Sequence, residues 1–142
     1  MYTVQKVETK EQLDFAFAIR RKVFVDEQGV PEHLELDEHD KTADHFIVYN
    51  GDQVIAAARI REYEPNVGKV ERVCVLPEFR GKKIGNLIMN ALEKYAVETN
   101  YKKLKLNAQS YAIPFYEKLK YVVSSPEFLD AGIPHRSMEK AL

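Results

Sequence analysis

The sequence predicts an α/β (α+β) fold built on a mixed, mostly antiparallel central sheet of about six or seven strands. Short segments rich in β-branched and aromatic residues alternate with segments whose apolar residues repeat every three or four positions. The first pattern is typical of strands and the second of amphipathic helices. An Asn-Gly pair between two strand-like segments predicts a hairpin, and a later strand-helix-strand crossover predicts one parallel pair of strands.

The first half of the chain is predicted to form a strand, a helix and a meander of three strands. The first strand covers residues 2–7. Thr9 and Gln12 have the spacing of a capping box, which predicts a helix that begins there and runs to about Phe24. The three strands of the meander are predicted at residues 46–49, 54–60 and 69–75, with turns at Asn50-Gly51 and at residues 65–68.

The second half begins with the clearest helix of the chain. Its apolar stripe consists of Ile84, Leu87, Ile88, Ala91, Leu92, Tyr95 and Ala96. A strand at residues 103–108 follows, and a crossover of this length makes it parallel to the strand at residues 69–75. A short helix at residues 112–119 and strands at residues 121–123 and 135–140 complete the pattern.

Composition narrows the possible classes of protein. The 142 residues are expected to form a single domain over residues 1–142, with one hydrophobic core. A net charge of −1 gives no reason to expect nucleic acid as a partner. The start of the chain lacks the apolar segment of a signal peptide, and no run has the length of a membrane span, so we expect no membrane association and a cytoplasmic location. The four histidines lack zinc-site spacing, so no metal is expected.

Residues 71–85 are the most informative part of the sequence. A strand-like run leads through a turn with two glycines and three cations into the helix that begins near Ile84. Unpaired backbone N–H groups in such a turn and the positive end of the helix dipole attract phosphate or pyrophosphate. We call residues 80–86 the anion cradle. The alternative is a basic turn that merely opens a surface helix. No P-loop and no dinucleotide-binding glycine motif occurs in the chain.

Two motifs resemble those of the GCN5-related N-acetyltransferase (GNAT) family. Arg80-Gly81-Lys82-Lys83-Ile84-Gly85 is similar to the family's [QR]-x-x-G-x-[GA], which cradles the pyrophosphate of acetyl-CoA. Lys83 stands where a motif glycine is usual, and a lysine fits there if the backbone has negative φ. Residues 112–121 are similar to A-x-x-[FL]-Y-[EK]-[KR]-x-G-[FY], with Lys120 in place of the glycine. Further segments resemble the small bacterial subgroup related to ElaA and YjcF.

This resemblance implies the GNAT fold, with the sheet splayed in the middle and about four helices, and acetyl-CoA as co-substrate. The strand before the cradle would be bulged and would bind pantetheine through its backbone. The cofactor-binding residues implied in this way are Val73, Cys74, Val75, Arg80, Gly81, Lys82, Lys83, Ile84, Gly85, Asn86, Asn107, Phe115, Tyr116 and Lys118.

Two residues are candidates for proton transfer. Tyr116 matches the family's general acid, which protonates the departing thiolate, and the alternative is a packed aromatic residue. Glu71 is the candidate general base. On a regular strand it shares a face with Val73 and Val75, and apolar neighbours raise a carboxyl pKa toward useful basicity. A glutamate paired with Arg72 or another cation has the same sequence pattern, and Glu27 is the rival base and a candidate substrate-binding residue.

The remaining candidates concern the nucleophile and the acceptor. Cys74 is either an acetyl-accepting nucleophile or a small buried hydrophobe, and with no histidine near it in sequence we favour direct transfer. His135 either lines the acceptor pocket or is a structural polar residue. Residues 26–40 contain seven carboxylates and no lysine or arginine. This segment is either a solvated face or an acidic mouth that attracts a cationic amine.

The sequence therefore predicts an acetyl-CoA-dependent N-acetyltransferase that transfers acetyl directly to a primary amine. If the acidic segment is an acidic mouth, it favours a cationic acceptor. The acceptor is either a small-molecule amine or a protein lysine. The alternative function is a non-catalytic acyl-CoA-binding or sensing module. A homodimer is compatible with the sequence.

Overall fold

A computed structural model describes all 142 residues and contains one eight-stranded sheet. The strand order is β1-β2-β3-β4-β5-β8-β6, and β7 pairs with β8 alone. All pairs are antiparallel except β4 with β5. The strands are β1 (Tyr2–Lys6), β2 (Asp44–Asn50), β3 (Gln53–Glu64), β4 (Val67–Val75), β5 (Lys103–Gln109), β6 (Val122–Val123), β7 (Phe128–Asp130) and β8 (Ile133–Ala141). The predicted fold class is confirmed, and only β7 was not predicted.

Four α-helices flank this sheet, as the family resemblance implied. They are α1 (Lys10–Arg20), α2 (Glu32–Glu35), α3 (Ile84–Glu98) and α4 (Ile113–Lys118), with short 3-10 turns at Glu38–Lys41, Pro77–Phe79 and Ser110–Ala112. None of these helices is long and apolar enough to cross a membrane.

The first helix is capped as predicted but ends differently. The Thr9 side chain accepts a hydrogen bond from the backbone N–H of Gln12, and the Gln12 side chain accepts one from the backbone of Thr9. The helical segment does not end near Phe24, the predicted position. It continues from α1 into a π-helix at Arg21–Glu27, a wider coil that frequently occurs at functional sites.

The hydrophobic core lies on both sides of the sheet. Every residue from Val54 to Ile60 in β3 is buried, although successive side chains of a strand point to opposite faces, so both faces of β3 are covered. The predicted stripe of α3 supplies Ile84, Ile88 and Leu92 to this core, and α1 supplies Ala16 and Ile19. Packing from both sides fixes the position of the strands that carry the candidate site.

The strands β4 and β5 pair only at their beginnings. The parallel register runs from Val67 with Lys103 to Val70 with Leu106, and beyond that point the two strands separate. The prediction that residues 65–68 form a turn is wrong at its end, because Gly68 already lies inside β4. A Cβ atom at Gly68 would lie 3.2 Å from side-chain atoms of Ile60, Tyr101 and Leu104, a tight contact that these side chains would have to relieve by small shifts.

A bulge in β4 lies beside the separation. Between the pairs Ala57 with Cys74 and Arg59 with Glu71, strand β4 has one residue more than β3. Arg72 takes up the extra length with φ of 60°, a left-handed conformation that is rare for residues other than glycine. The bulge that the resemblance implied is therefore present, and it re-aims the side chains of β4 next to the opening in the sheet.

Candidate active site

A cavity of about 640 Å³ occupies the opening between β4 and β5. Side chains from the π-helix, α2, β4, β5, α4 and β8 line it. The predicted site residues that the structure brings together there are Glu71, Val73, Cys74, Val75, Arg80, Gly85, Asn107, Phe115, Tyr116 and His135. The splayed strands thus place residues from four distant parts of the sequence around one space.

Other predicted residues do not line this cavity. Ile84 is buried in the core, whereas Lys118 is exposed. Glu27 lines a separate, smaller cavity of about 350 Å³. The remaining cradle residues Gly81, Lys82, Lys83 and Asn86 lie in the turn and the first helical turn beside Arg80 and Gly85.

The anion cradle offers a row of unpaired donors. The backbone N–H groups of residues 81–86 donate no hydrogen bond within the protein. Three of them open α3, a helix of 15 residues whose dipole places partial positive charge at this end. Such a row of free N–H groups binds phosphate groups well.

Lys83 has a left-handed backbone conformation. Its φ is 62°, so the condition of negative φ, under which a lysine fits at this position, is not met. The residue occupies the left-handed region that favours the glycine of the family motif, and it caps α3 without a side-chain hydrogen bond. Its side chain is exposed and lies outside the cavity.

Gly85 packs closely against the aromatic ring of Phe115. A Cβ atom at this position would lie 3.0 Å from Cζ of Phe115, a distance tighter than most real contacts of this kind, so the ring would have to shift. The Phe115 ring in turn packs edge-on against Tyr116, with ring centroids 4.9 Å apart. Gly85 therefore lets the aromatic pair of α4 approach the start of α3.

Arg80 is held by an ion pair that the sequence did not predict. Its Nη1 and Nη2 donate to the two carboxylate oxygens of Glu27 at 2.6 and 2.7 Å, and its Nε donates to the carbonyl oxygen of Val75 at 3.1 Å. The hydrogen bonds and the positive charge of Arg80 lower the pKa of Glu27. Glu27 is thus a partner of the cradle, and its position outside the large cavity argues against its role as rival base.

Tyr116 is buried, and its hydroxyl group is not hydrogen-bonded to the protein although the residue lines the cavity. Burial raises its pKa, so the phenol keeps its proton at neutral pH. The ring packs edge-on against Phe115 and Tyr121. This packing fixes the ring, while the hydroxyl group stays available to a ligand.

Cys74 lies on the cavity wall as a neutral thiol. Burial raises its pKa to about 12, and no histidine is hydrogen-bonded to it. Because the thiolate is the reactive form, a thiol with this pKa is a poor nucleophile at neutral pH.

Glu71 does not have the raised pKa expected from apolar neighbours. Burial alone would raise it, but the hydrogen bond from Arg61 and the charges of Arg59 and Lys69 outweigh burial and lower it. Arg61 Nε lies 2.8 Å from Oε1 of Glu71, and Lys69 Nζ lies 3.6 Å from Oε2. The pKa argument for a general base at Glu71 is therefore wrong. The bulge also removes the regular alternation on which that argument rested.

The acidic segment at residues 26–40 is mostly paired with arginines. Three carboxylates of the segment and three arginines from elsewhere in the chain form a group that we call the buried ion cluster. It consists of Glu35, Asp37, Asp40, Arg20, Arg59 and Arg72. Side chains of Arg20 and Arg59 are only 1% exposed. Both expectations for this segment are wrong for Glu35, Asp37 and Asp40, which are neither a solvated face nor a free acidic mouth.

Residues on the far side of the cavity are also ordered by polar contacts. His135 is buried, its Nδ1 lies 2.7 Å from the carbonyl oxygen of Ile133, and its ring stacks on Phe128. Gln28 and Gln109 form a reciprocal amide pair, in which Gln109 Nε2 donates to Gln28 Oε1 at 2.9 Å. This pair joins the end of the π-helix to β5 across the cavity, and it was not predicted from the sequence.

Comparisons with known proteins agree with this geometry. The family described as "Acetyltransferase (GNAT) domain" matches residues 4–142. The chain belongs to the GNAT family. The "Uncharacterized N-acetyltransferase YjcF" of Bacillus subtilis is 47% identical over 132 residues, which cover 92% of this chain and 94% of YjcF. ElaA of Escherichia coli is 31% identical over 134 residues, which cover 91% of this chain and 87% of ElaA.

Solved structures confirm the GNAT fold. The crystal structure of Escherichia coli ElaA superposes with a TM-score of 0.89 at 26% identity and covers 99% of both chains. As a GNAT protein the chain is an acyltransferase, and its co-substrate is an acyl-CoA. The opening between β4 and β5 is accordingly the candidate active site.

Proposed function

We propose that the protein is an N-acetyltransferase that transfers acetyl from acetyl-CoA directly to a primary amine. The observation that carries this proposal is the Tyr116 hydroxyl group, which is free of protein partners and lines the same cavity as the bulged strand β4. The cradle with its free N–H groups begins a few residues after that strand. Phosphate binding, thioester binding and a proton donor are thus arranged along one path.

The co-substrate binds in two parts in this proposal. The N–H groups of residues 81–86 hold the pyrophosphate, and the backbone of Val73, Cys74 and Val75 hydrogen-bonds to the pantetheine amides. A backbone N–H of the same segment polarises the thioester carbonyl. An oxyanion donor of this kind contributes about 3 kcal/mol in other acyl-transfer enzymes.

Transfer then takes place in one step between the two substrates. The neutral amine nitrogen attacks the thioester carbon, the C–N bond forms, the C–S bond breaks, and the departing thiolate takes the proton of Tyr116. The amine loses its remaining extra proton through water, which restores the phenol. The raised pKa of Cys74 favours this direct route over an acetyl-enzyme.

Glu71 receives a binding role in this scheme. A carboxylate with a lowered pKa is a weak base toward an ammonium of pKa near 10. It remains a good hydrogen-bond acceptor on the cavity wall, and we assign it to hold the incoming amine. The amine is then deprotonated mainly by solvent before it attacks.

The test measures release of free thiol from acetyl-CoA with a panel of primary amines, peptides with a lysine, and longer acyl-CoA compounds. Tyr116→Phe is expected to lower kcat by about 10²-fold and to leave CoA affinity nearly unchanged. Tyr121→Phe is the matched control, because Tyr121 is also buried and packs on Tyr116 but does not line the cavity. It is expected to change kcat by no more than a few fold.

Two results would contradict the proposal. Equal losses in the two variants would make Tyr116 a packing residue. Tight CoA binding without turnover of any acyl-CoA on any acceptor would favour the alternative, a non-catalytic acyl-CoA-binding module.

A further inference from the structure

Three cations form a row across neighbouring strands beside the cavity. Arg61 on β3 pairs in register with Lys69 on β4, which pairs with Lys105 on β5. Their charged groups surround the ring of Tyr63, at 5.8 Å for Arg61, 5.2 Å for Lys69 and 4.9 Å for Lys105 from the ring centroid. We call Arg61, Lys69 and Lys105 the cationic row.

The cationic row has too few carboxylates to balance it. Glu71 contacts both Arg61 and Lys69, and it also accepts hydrogen bonds from Arg59. Glu139 lies opposite Lys105 in the register of β5 with β8, but its carboxylate pairs with Lys103 at 3.3 Å, so Lys105 forms no ion pair in the structure. Like charges placed side by side on adjacent strands are destabilising, so the row has an uncompensated positive charge at a cost to the fold.

The row lies at the closed end of the opening between β4 and β5. Lys69 lines the cavity together with Glu71 and Asn107. Lys105 stands two residues before Asn107 on β5, so the two side chains lie on the same face of the sheet. The strands separate immediately after Val70 and Leu106, one residue beyond Lys69 and Lys105. A group that binds at the end of the cavity lined by Lys69, Glu71 and Asn107 therefore lies close to the row.

The other charged residues of the cavity do not offset this charge. Glu35 is paired with Arg20 and Arg72, and Arg80 is paired with Glu27. Asp130 is exposed on β7, the strand that pairs only with β8. Lys105 does not line the cavity itself, but it is the register neighbour of Lys69, which does. Its ammonium is the charge of the row that no carboxylate pairs with.

We infer that the acceptor is an amine that also carries an anionic group, a carboxylate or a phosphate, and that this group binds at Lys69 and Lys105. This inference rests on the proposed amine acetylation and adds the chemical class of the acceptor. Glu71 would hold the ammonium end of such a molecule next to the row. The inferred preference is opposite to the cationic one that the acidic segment suggested.

The test compares matched acceptors that differ only in the anionic group. β-Alanine is compared with β-alanine amide, and O-phosphoethanolamine with ethanolamine, so that the two anion types are distinguished. The anionic member of at least one pair is expected to have the higher kcat/KM. Lys105→Gln is expected to raise its KM about 5-fold, the loss of one partly exposed charge pair, and to change the uncharged member by a smaller factor. Lys94→Gln is the control, because Lys94 is an exposed lysine of α3 that does not line the cavity.

The inference fails if uncharged amines are preferred, or if Lys105→Gln and Lys94→Gln affect both members of each pair alike. Calorimetric titration of the CoA-saturated protein with the same four compounds measures acceptor binding without turnover. Absence of turnover with any amine therefore counts against the proposed function, whereas absence of a charge preference in binding counts against this inference alone.

Discussion

The buried ion cluster allows a sharp prediction for Asp40→Asn, a change that keeps the shape of the side chain and removes its charge. Oδ1 of Asp40 accepts from Arg20 at 2.6 Å and from Arg59 at 2.7 Å. Oδ2 accepts from Arg20 at 3.2 Å and from the backbone N–H of Asp37 at 3.0 Å. An asparagine amide has one oxygen and one NH₂ group, so in either orientation its donor faces donors.

The expected cost follows from this geometry. Removal of one partner from a buried ion cluster typically costs about 3–5 kcal/mol, because the remaining charges stay buried without compensation. With an unfolding entropy of roughly 2.1 cal/mol/K per residue, this corresponds to a fall in Tm of about 10–17 °C for a chain of this length. Urea unfolding and calorimetry measure both quantities.

The surface pair of Lys10 and Asp14 provides the control. Their side chains are 88% and 57% exposed, so Asp14→Asn is expected to change the free energy of unfolding by no more than about 0.5 kcal/mol. The reasoning is refuted if Asp40→Asn costs as little as this control.

The same variant should change the acid sensitivity of the fold. Burial alone would raise the pKa of Asp40, but the hydrogen bonds from Arg20 and Asp37 and the charge of Arg20 lower it. A folded pKa below the unfolded value near 3.9 gives stabilisation that is fully present above the unfolded pKa and is lost as pH falls through the folded one. Asp40→Asn should therefore flatten the dependence of stability on pH in the acid range.

Three further predictions concern the candidate site. Lys83→Gly should raise Tm by a few degrees. Relief of the strained left-handed backbone is worth about 1–2 kcal/mol, which exceeds the cost of the greater unfolded-state entropy of glycine, about 0.4–1 kcal/mol. Lys83→Ala keeps the strained conformation and should not raise Tm. Cys74→Ala should keep kcat within a few fold, and mass spectrometry that detected an acetylated cysteine would contradict direct transfer. With Glu71 already ionised, the rising limb of the pH–rate profile should follow the pKa of each acceptor amine, and one limb common to all acceptors would restore Glu71 as the base.

Local signals were sufficient to predict the elements that depend on local chemistry. The stripe that begins at Ile84 and the capping box of Thr9 each specify their structure within a few residues, and both are observed. The Asn50-Gly51 pair correctly predicts a hairpin, whose two-residue turn, Gly51-Asp52, begins one residue later. The location of Tyr116 and Val73 on one cavity followed from the family resemblance, because the two residues lie far apart in sequence.

Features held in place by distant partners were not predicted. The left-handed conformation of Arg72 is accompanied by contacts with Glu35 and Asp37, more than thirty residues earlier. One signal for the buried ion cluster was present in the sequence: Arg59 interrupts an apolar strand, and a buried arginine needs carboxylate partners. The neighbouring run of acidic residues without lysine or arginine was the source of those partners.

The separation of β4 and β5 also affects how the protein meets other polypeptides. Beyond Val70 and Leu106 each strand has an edge that its neighbour in the sheet leaves unpaired. Edges of this kind at the rim of a sheet can recruit a strand from another molecule and lead to aggregation. Here the two edges face each other inside the molecule, beside the rings of Phe115 and Tyr116. The main-chain groups of these two edges are therefore presented to the cavity and not to the rim of the sheet, where another polypeptide could pair with them.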